Sequence, residues 1–206
     1  MSQQKIVIGV SGVAQSGKDT FFYLFSRFLR ENHNLVSKRY ALADYLKLEC
    51  KDFLYDNFGL DVWSNDPAIK KMFRPLLIWF GDIKREQTKG KYFTDITYAE
   101  MMCDTVDVAF VTDIRYGELE DDEIDWVQCQ LNGKLVHIQR IDTNNNVILP
   151  ANANEQRNDP ILRSRCDYSL QWTSEITNSS NEFLDEMYVR WYPELQKTYS
   201  VLFTSR

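Results

Sequence analysis

The stretch Lys5-Ile6-Val7-Ile8-Gly9-Val10-Ser11-Gly12-Val13-Ala14-Gln15-Ser16-Gly17-Lys18-Asp19-Thr20 decides the fold class. Its first part, Lys5 to Val10, is a short β-branched run that reads as a buried strand. The segment Gly12 to Lys18 fits the pattern G-x-x-x-x-G-K and stands between that strand and a helix, the context that gives the pattern its meaning. Glycines let successive backbone N–H groups curl around phosphate oxygens, and Lys18 reaches the outer phosphates. The residues expected to hold ATP are therefore Gly12, Ala14, Gln15, Ser16, Gly17, Lys18, Asp19 and Thr20. After the lysine a Ser or Thr ordinarily helps to hold magnesium; here Asp19 stands there, with Thr20 next. Either Thr20 takes the hydroxyl role or Asp19 acts through a bound water.

Working outward, Phe21, Phe25, Phe28 and Leu29 recur at helical spacing, with Arg27, Arg30 and Glu31 on the other face. Leu35 to Leu42 is compatible with a second strand, followed by a helix from Ala43 to about Phe58 that Gly59 ends. Ile69, Phe73, Leu76, Leu77 and Phe80 form another helical stripe, in which Pro75 predicts a start near Arg74 or a kink. Tyr92 to about Thr105 reads as helix, Asp107 to Thr112 as a strand ending at Asp113, and Lys134 to Gln139 as a strand ending at Arg140. The segment Asp142 to Arg165, rich in Asn and Asp and holding Pro150 and Pro160, reads as an irregular lid. Asp167 to Trp172 forms a last strand, and Phe183 to Trp191 opens a closing helix that Pro193 bends. This alternation predicts an α/β three-layer sandwich: a mostly parallel five-stranded sheet with helices on both faces and ligands at the carboxyl ends of the strands. One domain spans residues 1–206, with a helical acceptor-binding region at about 43–106 and the lid at about 142–165.

Composition sets bounds. A chain of 206 residues with 44% hydrophobic and 26% charged residues is ordinary for a globular domain. A net charge of −6 disfavours gripping a nucleic-acid polymer, whose affinity rests on many Lys and Arg contacts. No apolar run approaches the roughly 20 residues of a membrane span, and the protein is expected in the cytoplasm without a membrane partner. Cys50, Cys103, Cys129 and Cys166 lack metal-site or disulfide-scaffold spacing, and His33 and His137 are too few for a histidine-rich metal site. The acidic run Glu118 to Asp125 reads as a solvated face, and the Asn144 to Asn146 run as solvated loop. A homodimer is compatible with all of this.

Asp113 closes an apolar strand, where a carboxylate meets magnesium, its water shell or the acceptor; the alternative is a helix cap. Asp19, Thr20 and Asp113 are thus the magnesium candidates. Transfer between two phosphate-bearing molecules gathers negative charge, so arginines should outnumber acid–base groups, and an ionised acceptor needs no general base. Lys18, Arg74, Asp113 and Arg140 are the expected catalytic residues. Lys47, Arg74, Trp79, Asp82, Arg85, Asp113 and Arg115 are assigned to the acceptor, and Arg157, Arg163 and Arg165 to a lid that closes against water. Arg74 and Arg85, eleven residues apart, share a face but lie about 16 Å apart along a continuous helix, so they do not grip one phosphate.

At these residues the chain resembles the deoxynucleoside monophosphate kinases known from bacteriophages, a branch of the P-loop nucleoside monophosphate kinase-like fold. The likeness rests on Ser11-Gly12 through Gly17-Lys18-Asp19-Thr20, Ala41-Leu42-Ala43 with Lys47, Phe73-Arg74-Pro75-Leu76-Leu77 through Gly81-Asp82 and Arg85, and Thr112-Asp113-Ile114-Arg115, with Val136 to Arg140 as the strand entering the lid. It does not extend over Asn144 to Ser164, which holds Glu155. The resemblance implies magnesium-dependent transfer from ATP to a deoxynucleoside 5′-monophosphate, with Arg74, Asp113 and Arg115 lining the acceptor side. Animal-type phosphomevalonate kinases are similar in the same blocks and imply a different acceptor. The aromatic residues Tyr45, Trp79 and Tyr116 favour a base to stack on. A non-catalytic nucleotide switch is a further reading, which has no need of Arg74 and Arg115.

Overall fold

The computed structural model describes residues 5–118, 121–142, 144–173 and 181–204, and it divides into two compact units, Met1–Tyr40 with Thr105–Arg206, and Ala41–Asp104. In the first unit β1 (Ile6–Ser11) lies at the centre of a five-stranded parallel sheet. The other strands are β2 (Ser37–Tyr40), β3 (Val108–Ile114), β4 (Lys134–Ile141) and β5 (Tyr168–Thr173), in the order β2-β3-β1-β4-β5. β3 is buried along its whole length because it is covered on both faces, which is why it reads as an uninterrupted apolar run.

One face is covered by α1 (Lys18–His33) and α7 (Asn181–Thr204). Phe21, Leu24, Phe25, Phe28 and Leu29 of α1 pack on Ile8, Val10, Phe110, Val136 and Ile138. Each fully buried Phe or Leu contributes about 1.5–3 kcal/mol, so this stripe anchors the helix that the phosphate loop feeds. On the other face a single turn, α5 (Glu123–Asp125), continues into the π-helical turn Trp126–Gln130. A side chain at Gly9 would stand 3.2 Å from Val127, Leu135 and Ile114, so glycine there permits the close packing of that layer. The architecture is the α/β class with a parallel five-stranded sheet and helices that the alternation of elements predicts.

The second unit, between β2 and β3, holds α2 (Leu42–Phe58), α3 (Pro67–Thr88) and α4 (Lys91–Cys103) around Cys50, Leu54, Val62 and Phe73. α3 begins at Pro67, not near Arg74: the Asp66 carboxylate accepts from the Ala68 N–H at 2.8 Å and Pro67 occupies the first turn. Pro75 lies inside it on an exposed face, where the carbonyl it leaves unpaired can be hydrated.

The lid segment departs furthest from expectation, because Ala153–Arg165 is a helix, α6. Asn152 caps it, its side chain accepting from the Glu155 N–H at 2.9 Å, while the Glu155 carboxylate accepts from the Ala151 N–H at 2.9 Å. Pro160 sits within it. Before it, the Asp142 carboxylate accepts from the Asn144 and Asn146 N–H groups, both at 2.8 Å, so the asparagine run is an organised turn.

The acidic run is also corrected: among its described members Asp122 and Glu123 are buried, not solvated. Glu123 accepts from the Arg115 and Tyr116 N–H groups at 2.6 and 3.1 Å and so caps the end of β3; Glu120 lies outside the described residues. The four cysteines are free, and no helix among the described residues is long and apolar enough to cross a membrane.

Candidate phosphate-binding site

The loop Gly12–Gly17 joins the end of β1 to the start of α1 and takes its shape from three backbone positions with positive φ: Gly12 at 138°, Gln15 at 62° and Gly17 at 93°. The two glycines are required by space as well as by angle. A Cβ on Gly12 would lie 2.3 Å from the Ile138 carbonyl oxygen of β4, and one on Gly17 would lie 2.6 Å from the Trp172 ring of β5. Trp172 also donates its indole N–H to the Ser16 carbonyl at 2.8 Å, and an Arg140 guanidinium nitrogen donates to the Gln15 carbonyl at 3.3 Å. The loop is therefore braced by β4 and β5, which frees the first-turn N–H groups of α1 to face an anion.

Lys18 donates to the Gly12 and Val13 carbonyls at 2.7 and 2.8 Å. Burial, aided by the positive charge of Arg115, lowers its pKa to about 8 against the opposing pull of Glu155, Asp113 and Asp19. That group of charges brings together the residues expected from two separate blocks of sequence. Asp113 is 8% exposed near the end of β3. Asp19 forms an ion pair with Arg39 of β2 at 2.9 Å. The Ser16 hydroxyl is fully buried and has no hydrogen-bond partner among the described residues, which is costly unless a partner is supplied.

A shallow, partly open pocket lies beside the loop. Gly12 and Val13 form one wall and Ile114 and Arg115 another, and α6 contributes Glu155, Asn158, Asp159 and Leu162. Those four positions, i, i+3, i+4 and i+7, are one helix face. Asn158 accepts from the Gly117 N–H at 3.3 Å, and Asp159 lies 3.6 Å from the buried His137 ring.

The remaining expected residues are distributed as follows. Arg157 pairs with Glu118 at 2.8 Å, Arg165 pairs with Asp125 at 2.7 Å, and Arg163 is exposed. In the helical unit Lys47 pairs with Asp44 at 3.2 Å and lies over the Trp63 ring; Arg74 and Trp79 are exposed, and Asp82 and Arg85 are partly buried. Tyr45 hydrogen-bonds Glu100 through its hydroxyl. Sequence reasoning missed Arg39, Glu123, Asn158, Asp159 and Trp172. The Asn152-x-x-Glu155 spacing signals the start of α6 and hence its inner face; no local pattern announces Arg39 or Trp172.

No family model matches the chain. No curated protein matches it in sequence. Among solved structures it is similar to shikimate kinase from Aquifex aeolicus vf5, at 14% identity over 93% of this chain and 99% of that chain, with a TM-score of 0.35. A likeness that low carries no argument about activity, which is read from the geometry of the site itself.

Proposed function

We propose that the chain is an ATP-dependent phosphotransferase acting on a small phosphorylated acceptor, a deoxynucleoside 5′-monophosphate. The observation that carries this reading is the loop with its lysine: Lys18 lies at the start of α1 with Asp113 and Arg115 close enough to shift its proton affinity. The loop N–H groups and Lys18 hold the donor phosphates, and the orphaned Ser16 hydroxyl gains a partner in a phosphate oxygen.

Magnesium fits these residues. Asp113, buried beside the loop, and Thr20 would hold it, with Asp19 reaching it through water while paired to Arg39; few protein ligands suffice, because this ion keeps waters and binds phosphate oxygens. The metal supplies charge neutralisation on the transferring group. Arg140 steadies the loop from β4 and adds positive charge. From the family resemblance we assign the acceptor's phosphate to Arg74 and its remaining contacts in the helical unit to Lys47, Trp79, Asp82 and Arg85; Arg115, beside the loop, adds positive charge there. The glutamate and arginines of α6 belong to the closing element that keeps water from the phosphate.

The test is ADP formation by the purified protein with Mg-ATP against a panel of deoxynucleoside and nucleoside monophosphates, with mevalonate 5-phosphate included. Turnover only with deoxynucleotides supports the proposal. Turnover only with mevalonate 5-phosphate replaces the acceptor, and no acceptor-dependent ADP anywhere overturns the activity.

A further inference from the structure

Ser11, His137 and Asp159 stand in a line that phosphate binding does not explain. Ser11 is the last residue of β1 and sits opposite His137 of β4 in the strand register. The Ser11 hydroxyl and His137 Nδ1 are 3.1 Å apart, and the same hydroxyl lies 3.4 Å from the Val136 carbonyl. On the far side of the ring, His137 Nε2 faces the Asp159 carboxylate at 3.6 Å. The order serine, histidine, aspartate resembles a nucleophilic triad, but Ser11 is fully buried and His137 is 1% exposed, so no substrate reaches them.

What the line does join is two elements of the phosphate site. Ser11 immediately precedes Gly12, and Asp159 is one helical turn from Glu155, which lines the pocket beside the loop. We propose that His137 is a positioning residue: through Ser11 and Asp159 it ties α6 to the strand that delivers the phosphate loop, and so holds Glu155 in place near Lys18. The functional half of this inference rests on the phosphotransferase reading; the mechanical half does not.

A consequence separates this role from plain packing. Burial pushes the His137 pKa below the ordinary value, with Asp159 pulling the other way and the positive charges of Arg163 and Lys18 adding to the depression. The Cys166 thiol, which meets the His137 backbone, adds no charge while protonated, and its pKa is itself pushed up by burial. When α6 leaves, the ring is hydrated and regains its ordinary affinity for a proton. Release of α6 therefore takes up a proton, and acid favours it, by at most about tenfold per pH unit below the ordinary histidine value. Asp159 moderates the effect.

The experiment is amide hydrogen exchange over 153–165 in the nucleotide-free full chain, corrected for intrinsic rates, at pH 7.5 and 5.5. In the wild type, α6 opens several-fold more readily at the lower pH than at the higher. His137→Gln, which keeps a donor toward Asp159 but does not titrate, loses the dependence. Should that core substitution unfold the chain, Asp159→Asn, at a partly exposed position, steepens it. ATP affinity, measured in parallel, falls several-fold in both variants. Equal pH response of α6 in the wild type and Asp159→Asn overturns the tie. A pH response lost in His137→Gln together with no ATP binding by the wild type keeps the tie and overturns the phosphotransferase reading.

Discussion

Raising the pH through the range of Lys18 should loosen the grip on ATP by a calculable amount. With the free-protein pKa lowered to about 8 by burial and Arg115, Lys18 is about nine-tenths charged at pH 7 and about one-tenth charged at pH 9. Bound phosphates stabilise the charged form and raise the pKa in the complex, so binding above pH 8 must first recover a proton. Affinity for Mg-ATP should then fall about tenfold between pH 7 and 9, near 1.4 kcal/mol. The γ-phosphate is fully ionised over most of this range, and Lys18→Met, of similar bulk and without charge, supplies the control. The fold responds in the opposite sense: a lysine whose folded pKa is depressed costs stability while charged, so the nucleotide-free chain gains stability from about pH 8 upward on this account. Loss of ATP binding with no fall in melting temperature distinguishes the two effects. Calorimetric titration at pH 7, 8 and 9 is the assay. Wild-type affinity constant within twofold, or an equal decline in Lys18→Met, refutes the reasoning.

Three further outcomes are expected. Arg74→Ala should raise the acceptor KM by about 10–100-fold, the worth of a charged hydrogen bond, while the Kd for ATP stays within twofold; indifference of both favours a nucleotide switch instead. Gly17→Ala places a methyl against the Trp172 ring at a positive φ and should cost about 2–3 kcal/mol in denaturant unfolding as well as weakening ATP binding; an unchanged unfolding midpoint contradicts the steric account. Asn152→Ala removes the cap of α6 and should cost about 1 kcal/mol locally, read as faster exchange at Ala153–Arg165 with α1 unaffected.

The central unit was legible because its signals are dense: a β-branched strand, two glycines at fixed spacing and a phenylalanine stripe all agree on β1, loop and α1. Strand ends were displaced by two residues at most. Asp113, for instance, stands within β3 because Glu123 caps the residues beyond it and lets the strand continue to Ile114. α6 was hidden for two physical reasons: its inner face is polar, with Asn158 and Leu162 its buried residues, so it has no apolar period, and Pro160 argues locally for a break. The helix is held by its cap and by polar contacts to Gly117 and His137, none of which leaves a hydrophobic trace. Burial of Asp122 and Glu123 was misread likewise, since a run of carboxylates looks hydrated until the backbone donors that meet it are in view. In the candidate site, the charges around Lys18 came from blocks already singled out, whereas Arg39 and Trp172 are brought in by strand order alone.

The hydrogen bond from the Trp172 indole to the Ser16 carbonyl spans 156 residues, and it moves part of the loop's vulnerability to the edge of the sheet. A substitution at 172, or a slip of β5 against β4, would deprive the loop of its floor while leaving every residue of the motif intact. Defects in nucleotide binding by this protein should therefore be sought at the sheet's edge as well as in the loop, and a repaired or redesigned loop would have to be fitted to the indole beneath it.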